Sequence, residues 1–269
     1  MDSIKQAVEL ARATENSLGQ IPRVGLSEAQ RLNSQDVHVR DVHLNSAHLE
    51  RSRIVAHGAS AQHGHYYDML RTQILQEMDK KSWQFLAVTS PTAACGKTVT
   101  ACNLAISIAR LPERSVLLVD LDLRKPMVAN YLGIEDAGGV LSVLEGRATL
   151  SSAVLRASIG PNSFMVLPGT VPTAGSSEWM ASQTMGTLLQ TIKREFRSSI
   201  VIFDLPPILL GDDVISILPR IDAALLVAAV GSTSISDVKE CQRHLRWTPV
   251  VRVVVNKGTE AVGSYYSYY

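Results

Sequence analysis

The sequence lacks an excess of charge of either sign. Its 26 Lys and Arg are balanced by 25 Asp and Glu, so no basic field attracts nucleic acid and no nucleic-acid partner is expected. Cysteine is scarce: Cys95, Cys102 and Cys241 are odd in number and far apart, which argues against a disulfide framework and fits a reducing compartment. No apolar run approaches the ~20 residues of a bilayer-spanning helix, and the N-terminus has no signal-peptide core. These absences predict a cytoplasmic protein that reaches the inner face of a membrane only through a partner. What is present is apolar bulk, 46% of 269 residues, enough for one sizeable core and an extension.

The chemistry concentrates in Val88-Thr-Ser-Pro-Thr-Ala-Ala-Cys-Gly-Lys-Thr98. An apolar run, Trp83 to Val88, precedes this stretch, and Val99 to Ala109 follows with apolar residues at helical spacing. Strand, tight loop and helix in that order are the setting of a phosphate-binding loop. Amides of the loop and the first helical turn, from Ala94 and Cys95 through Gly96, Lys97, Thr98 and Val99, would cradle anionic oxygens. Lys97 would reach the β- and γ-phosphates of ATP, and the Thr98 hydroxyl would reach Mg²⁺. Gly96 admits a close backbone approach. In the pattern G-x-x-x-x-G-K-[ST] the first glycine falls on Pro91, so only Gly96-Lys97-Thr98 is strict. The tripeptide alone does not separate a nucleotide site from an ordinary surface loop.

Two further runs end in acids. Val116 to Val119 reads as a buried parallel strand with Asp120 at its C-terminal end and Asp122 two residues on. Those carboxylates could order Mg²⁺ or accept a proton, or could be solvated aspartates at a strand end. Ile200 to Phe203 ends on Asp204 as a Walker B acid would, and Pro206-Pro207 stop the strand. Strand-like 162–168, helical 179–196, strand 221–230, helix 236–246 and strand 250–255 continue the alternation. The fold class is therefore α/β, a P-loop NTPase-type parallel sheet with helices on both faces.

Residues 1–64 are expected to be an irregular to helical extension. Ile4 to Ala11 suggests a short amphipathic helix, residues 23–64 a linker with a short strand near 36–44, and His65 to Met78 a second helix that opens the ATPase domain, 65–262. Six of the seven histidines lie between His38 and His65, and their spacing favours solvated linker side chains over a metal cluster. The last segment, 263–269, holds Tyr265, Tyr266, Tyr268 and Tyr269, four of the seven tyrosines. Phenols gathered at a terminus are hard to bury.

Taken together, residues 67–269 resemble the cytoplasmic ATPase domain of the bacterial tyrosine autokinases, the BY-kinases of capsule and exopolysaccharide synthesis. Thr89-Ser-Pro to Gly96-Lys-Thr98 is similar to their Walker A motif, Asp120-Leu-Asp-Leu-Arg124 to their Walker A′ and Ile202-Phe-Asp-Leu-Pro-Pro207 to their Walker B. The resemblance implies transfer of the ATP γ-phosphoryl to the tail tyrosines of a neighbouring copy. It implies catalytic roles for Lys97, Asp120, Asp122 and Asp204, Mg²⁺ held by Thr98, Asp120 and Asp204, and adenine beside Asn256. Asp120, nearer the strand end, is the preferred base, and Arg124 is expected to order Asp122 or a neighbouring subunit. The implied partners are a homo-oligomer, a membrane polysaccharide chain-length or activator protein, and a cognate tyrosine phosphatase.

The chain departs from that family in places. Where relatives carry Pro-Gly-Glu before the Gly-Lys pair, this chain has Ala93-Ala94-Cys95, and an alanine does not take positive φ cheaply. Of the family's oligomerisation triad only Arg71 is retained, with His65 and Asp68 at the other two positions. The alternatives are a MinD/ParA-like positioning ATPase, whose signature lysine would fall on Thr92, and a nucleotide-binding regulator of polysaccharide export without catalysis.

Overall fold

The three acid-ended or loop-ended runs become the centre of one sheet. In the computed structural model, which describes residues 39–58, 64–135, 138–169 and 171–258, strand β1 (Arg40–His43) and helix α1 (Ser46–Arg51) come first, followed by α2 (Gly64–Lys81), β2 (Phe85–Thr89) and α3 (Lys97–Ala109). After these come β3 (Ser115–Asp120), three short helices α4 (Val128–Leu132), α5 (Val140–Leu144) and α6 (Leu150–Ala153), and the hairpin of β4 (Leu155–Ile159) and β5 (Asn162–Leu167). The remainder is α7 (Ser176–Ala181), α8 (Gln183–Glu195), β6 (Ser199–Asp204), α9 (Asp213–Ile217), a 3₁₀ turn, β7 (Ala223–Ala229), α10 (Ile235–His244) and β8 (Val250–Asn256). The expected helix at 4–11 and the tyrosine tail lie outside the described residues.

Eight strands form one sheet in the order β1-β4-β5-β3-β6-β2-β7-β8. All pairs are parallel except β4 with β5, so the expected parallel sheet is mostly so. The exception follows from a tight connection: Gly160, at φ 54°, reverses the chain, and two strands joined that closely can only run antiparallel. Every residue of β2 and β7 is buried, as strands covered on both faces must be. The side chain of Asp222 ties the two strand starts together, accepting from the amides of Gln84 and Phe85 at 2.9 and 2.8 Å.

One apolar cluster lies under α2 and α3 and a second under α8, α9 and α10. The continuous helix expected over 179–196 is interrupted at Ser182, whose extended backbone ends α7 and whose hydroxyl accepts from Met185 N to cap α8.

The expected linker over 23–64 needs correction from residue 40 onward. β1 pairs with β4, and Leu44, Leu49, Ile54 and Ala56 are buried in the first cluster. The compact unit accordingly begins at His38, not near residue 65. Asn103 on α3 holds the turn after α1: its Oδ1 accepts from Val55 N and Ala56 N at 2.7 and 2.9 Å, and its Nδ2 donates to Arg53 O at 3.0 Å. Of the described histidines in this stretch, His43 and His65 are exposed as expected, whereas His48 Nε2 lies 2.9 Å from Asn130 O and the His57 side chain is only 9% exposed. Among the described residues no group of three or more His, Cys, Asp or Glu stands as a metal site.

Candidate active site

The loop between β2 and α3 takes its shape from two left-handed residues. Ala94 has φ 61° and Gly96 has φ 96°. A Cβ on Gly96 would lie 2.1 Å from Asn256 Nδ2, so the space a side chain would need there is taken by a residue of β8. Asn256 donates from that nitrogen to Cys95 O at 2.9 Å, which makes it a brace for the loop. The base of the loop is tied to the segment after β6: Thr89 Oγ1 donates to Pro206 O at 2.7 Å, and Ile208 N donates to Ser90 O at 2.8 Å.

Register brings the acids together. Asp120 and Asp204 are paired residues of adjacent strands, and Val88, one residue before the end of β2, pairs with Asp204 on its other side. Loop, Walker A′ acid and Walker B acid therefore meet at one sheet edge, the edge where open α/β sheets bind ligands. Lys97 Nζ lies 2.7 Å from Asp122 Oδ2 and 3.6 Å from Asp204 Oδ1. Thr98 Oγ1 donates to Asp204 Oδ2 at 2.6 Å. Burial alone would push the Lys97 ammonium down, but the charges of Asp204 and Asp122 outweigh it and hold the group above its ordinary value. Burial raises both Asp120 and Asp204. The Asp204 charge raises Asp120 further, while Lys97 and Thr98 pull Asp204 back down.

The three aspartates have different anchors. Asp120 is fully buried, with Oδ2 accepting from Met127 N and Val128 N at 2.9 Å each and Oδ1 from Asp122 N at 3.2 Å. Gly169 passes so close that a Cβ there would sit 3.2 Å from the Asp120 Cγ. Asp122 accepts from Lys125 N at 3.0 Å through the oxygen that Lys97 does not use. Asp204 Oδ1 is buried without a hydrogen-bond donor. That oxygen, with Lys97 Nζ 3.6 Å away and the Thr98 hydroxyl on the same carboxylate, suits a divalent cation carried in with phosphate oxygens.

Arg124 turns away from Asp122, one of its two expected partners, and pairs with Asp213 Oδ2 at 2.7 Å while donating to Ser177 Oγ at 3.0 Å. Ser177 in turn donates to Asp212 Oδ1 at 2.7 Å. Ser177, Asp212 and Asp213 were missed because no motif marks them. The acids next to Gly211, a few residues beyond the Walker B prolines, were the only available signal. Arg71, retained from the oligomerisation triad, turns inward onto Asp68 Oδ1 and Ser107 O at 3.0 Å each. Cys95 is buried in the loop; burial pushes its thiol up, and hydrogen bonds with Thr92 and Thr233 bring it net below its usual value.

This geometry is that of a known nucleotide-binding domain. The CobQ/CobB/MinD/ParA nucleotide binding domain family matches residues 86–263. Within that class the sequence is 32% identical over 206 residues to the tyrosine-protein kinase CpsD of Streptococcus pneumoniae serotype 4, covering 74% of this chain and 86% of that protein. The chain belongs to the bacterial P-loop tyrosine kinases. The tyrosine-protein kinase YwqD of Bacillus subtilis is 29% identical to this kinase over 205 residues, 76% of this chain and 84% of that one. Its fold is also that of the kinase domain of the Escherichia coli tyrosine kinase ETK, at a TM-score of 0.66 and 23% identity over 90% of this chain and all of the other. No helix among the described residues is long and apolar enough to cross a membrane.

Proposed function

We propose that this chain is an ATP-dependent protein-tyrosine kinase that phosphorylates Tyr265, Tyr266, Tyr268 and Tyr269 of an adjacent copy, and that this modification regulates capsule or exopolysaccharide synthesis. The observation that carries the reading is the convergence of Lys97, Thr98, Asp122 and Asp204 within 3.6 Å contacts beneath the loop. When bound, MgATP would supply the phosphoryl group, and its cation would offset the negative charge of the phosphates. Loop amides from Ala94 to Val99 hold the phosphates, and Lys97 turns from Asp122 towards the transferring group. Thr98 and Asp204 hold the cation, with Asp120 behind them.

A phenol has a pKa near 10, so its proton must leave as the new O–P bond forms and the bond to the β-phosphate oxygen breaks. Asp120 is the proposed acceptor because it ends the strand at the reacting edge, and Asp122 is the second candidate. A membrane-embedded chain-length or activator protein, a tyrosine phosphatase and further copies of the chain are the proposed partners.

The test is incubation with labelled ATP and Mg²⁺. Phosphotyrosine should appear in the tail and fall about 100-fold or more in Lys97→Met, the scale of losing a charge-stabilising group. Mixing a Lys97→Met chain that keeps its tail with an active chain truncated after residue 262 should restore label to the former. Hydrolysis without phosphotyrosine would favour a positioning ATPase instead, and binding without turnover a regulator.

A further inference from the structure

β8 closes one side of the sheet: it pairs with β7 alone among the described strands, and its sequence, Val-Val-Arg-Val-Val-Val-Asn, is the kind that natural edges rarely leave bare. Its first-cluster face is covered by α2, where Arg252 Nε donates to Gln73 Oε1 at 2.8 Å and Val254 packs into the core. The opposite face is open. Val253 and Val255 pair in register with Leu226 and Ala228 and share their side of the sheet, yet are 46% and 67% exposed. Beyond the end of β8, Val230, whose amide donates to Asn256 O, is 51% exposed. Val253 and Val255 thus form an exposed aliphatic strip along an edge that is unpaired among the described strands, with Val230 at its end. Exposed apolar surface on a strand edge marks a docking site.

We infer that this strip receives the unphosphorylated tyrosine tail of the same chain. Three observations select that occupant. The tail begins where the strip ends: Lys257, at φ 60°, turns the chain out of β8 directly after Asn256. Residues 259–269 number eleven and can extend to about 36 Å, against about 23 Å for the seven residues of β8, so they reach back along the whole strand. Tyrosine rings also match the surface, since each lays an apolar face on valine and leaves its hydroxyl in water. A tether this short makes the contact intramolecular, with an effective concentration in the millimolar range, which a second copy would have to match in free solution. A phosphate on the ring adds about −1.5 to −2 charges and removes the advantage of an apolar seat. The docked tail therefore stays seated on its own chain, out of the site of any other copy, until it is displaced, and it leaves the strip once modified. The inference does not depend on which enzyme adds the phosphate.

The experiment is limited chymotrypsin digestion of phosphatase-treated full-length chain, followed by intact mass to count loss of C-terminal residues. In Val253→Ser/Val255→Ser, both positions being exposed, the thermal midpoint should hold while tail cleavage accelerates about fivefold, the change expected when a weak apolar contact is lost. Met69→Ser, an equally exposed apolar change on α2, should leave the rate as it was. Protection in the parent chain should be the same across a hundredfold dilution. Unchanged cleavage in the double variant, an equal rise in Met69→Ser, or protection that disappears on dilution would each overturn the inference, the last by assigning the strip to a second copy.

Discussion

Ala94 and Gly96 show how two neighbouring left-handed residues impose opposite constraints. Ala94 at φ 61° carries a Cβ in a conformation that costs about 1–2 kcal/mol, against a gain of roughly 0.5–1 kcal/mol from its stiffer unfolded chain. Ala94→Gly should thus be slightly stabilising, by about 0.5 kcal/mol, and should tighten nucleotide binding; a fluorescent ADP titration with a thermal melt reads both. Gly96→Ala should do the reverse. Its Cβ would have to displace the Asn256 amide now 2.1 Å from that point, opening the brace on Cys95 O. Nucleotide binding should be lost while the far side of the sheet stays folded, which hydrogen exchange can localise. The strain at Ala94 was legible in the sequence, because an alanine stood where the loop needs a glycine-like conformation. The role of Asn256 was not, since a side chain reaching over the loop from a strand 160 residues later leaves no local pattern.

Strands β2, β3 and β6 could be read directly because each is a run of apolar residues that stops at a polar residue with a function, and a fully buried parallel strand has no other signature. β4 was missed for the converse reason: Leu155-Arg-Ala-Ser-Ile159 buries only its alternate residues, so it offers no continuous apolar run, and short helices precede it in sequence. The turn after α1 is another element that sequence reasoning passed over. Its backbone is held by one side chain, Asn103, which makes two acceptor and two donor contacts while fully buried, the fourth being to Val99 O. Asn103→Ala would leave the amides of Val55 and Ala56 without an acceptor in a dry site. At about 1–3 kcal/mol for each buried polar group left unpaired, the loss should be about 2–5 kcal/mol in urea denaturation. Asn103→Asp, which keeps the acceptor but not the donor, should fall between. Equal stability of all three chains would show that the turn is not held this way.

The site was more legible than its enclosure. Three motif loops at one sheet edge follow from the alternation of strands and helices alone, but the strand order that makes Asp120 and Asp204 neighbours is set by long-range pairing that no window of sequence contains. The same limit explains the misplaced boundary of the domain. Residues 40–56 are polar and weakly periodic, so they read as a linker, although Leu44, Leu49 and Ile54 reach the core and β1 adds the last strand on that side. Burying three large aliphatic side chains contributes about 5–9 kcal/mol, the order of a whole domain's stability of about 5–15 kcal/mol. A chain starting at His38 should therefore unfold at nearly the same urea midpoint as the full sequence. One starting at His65 should be largely unfolded or aggregated, because the surface of α3 and α4 that Leu49 and Ile54 cover would face water. Comparable midpoints for the two truncations would return residues 38–64 to the status of a linker, and an unstable chain from His38 would place essential contacts before it.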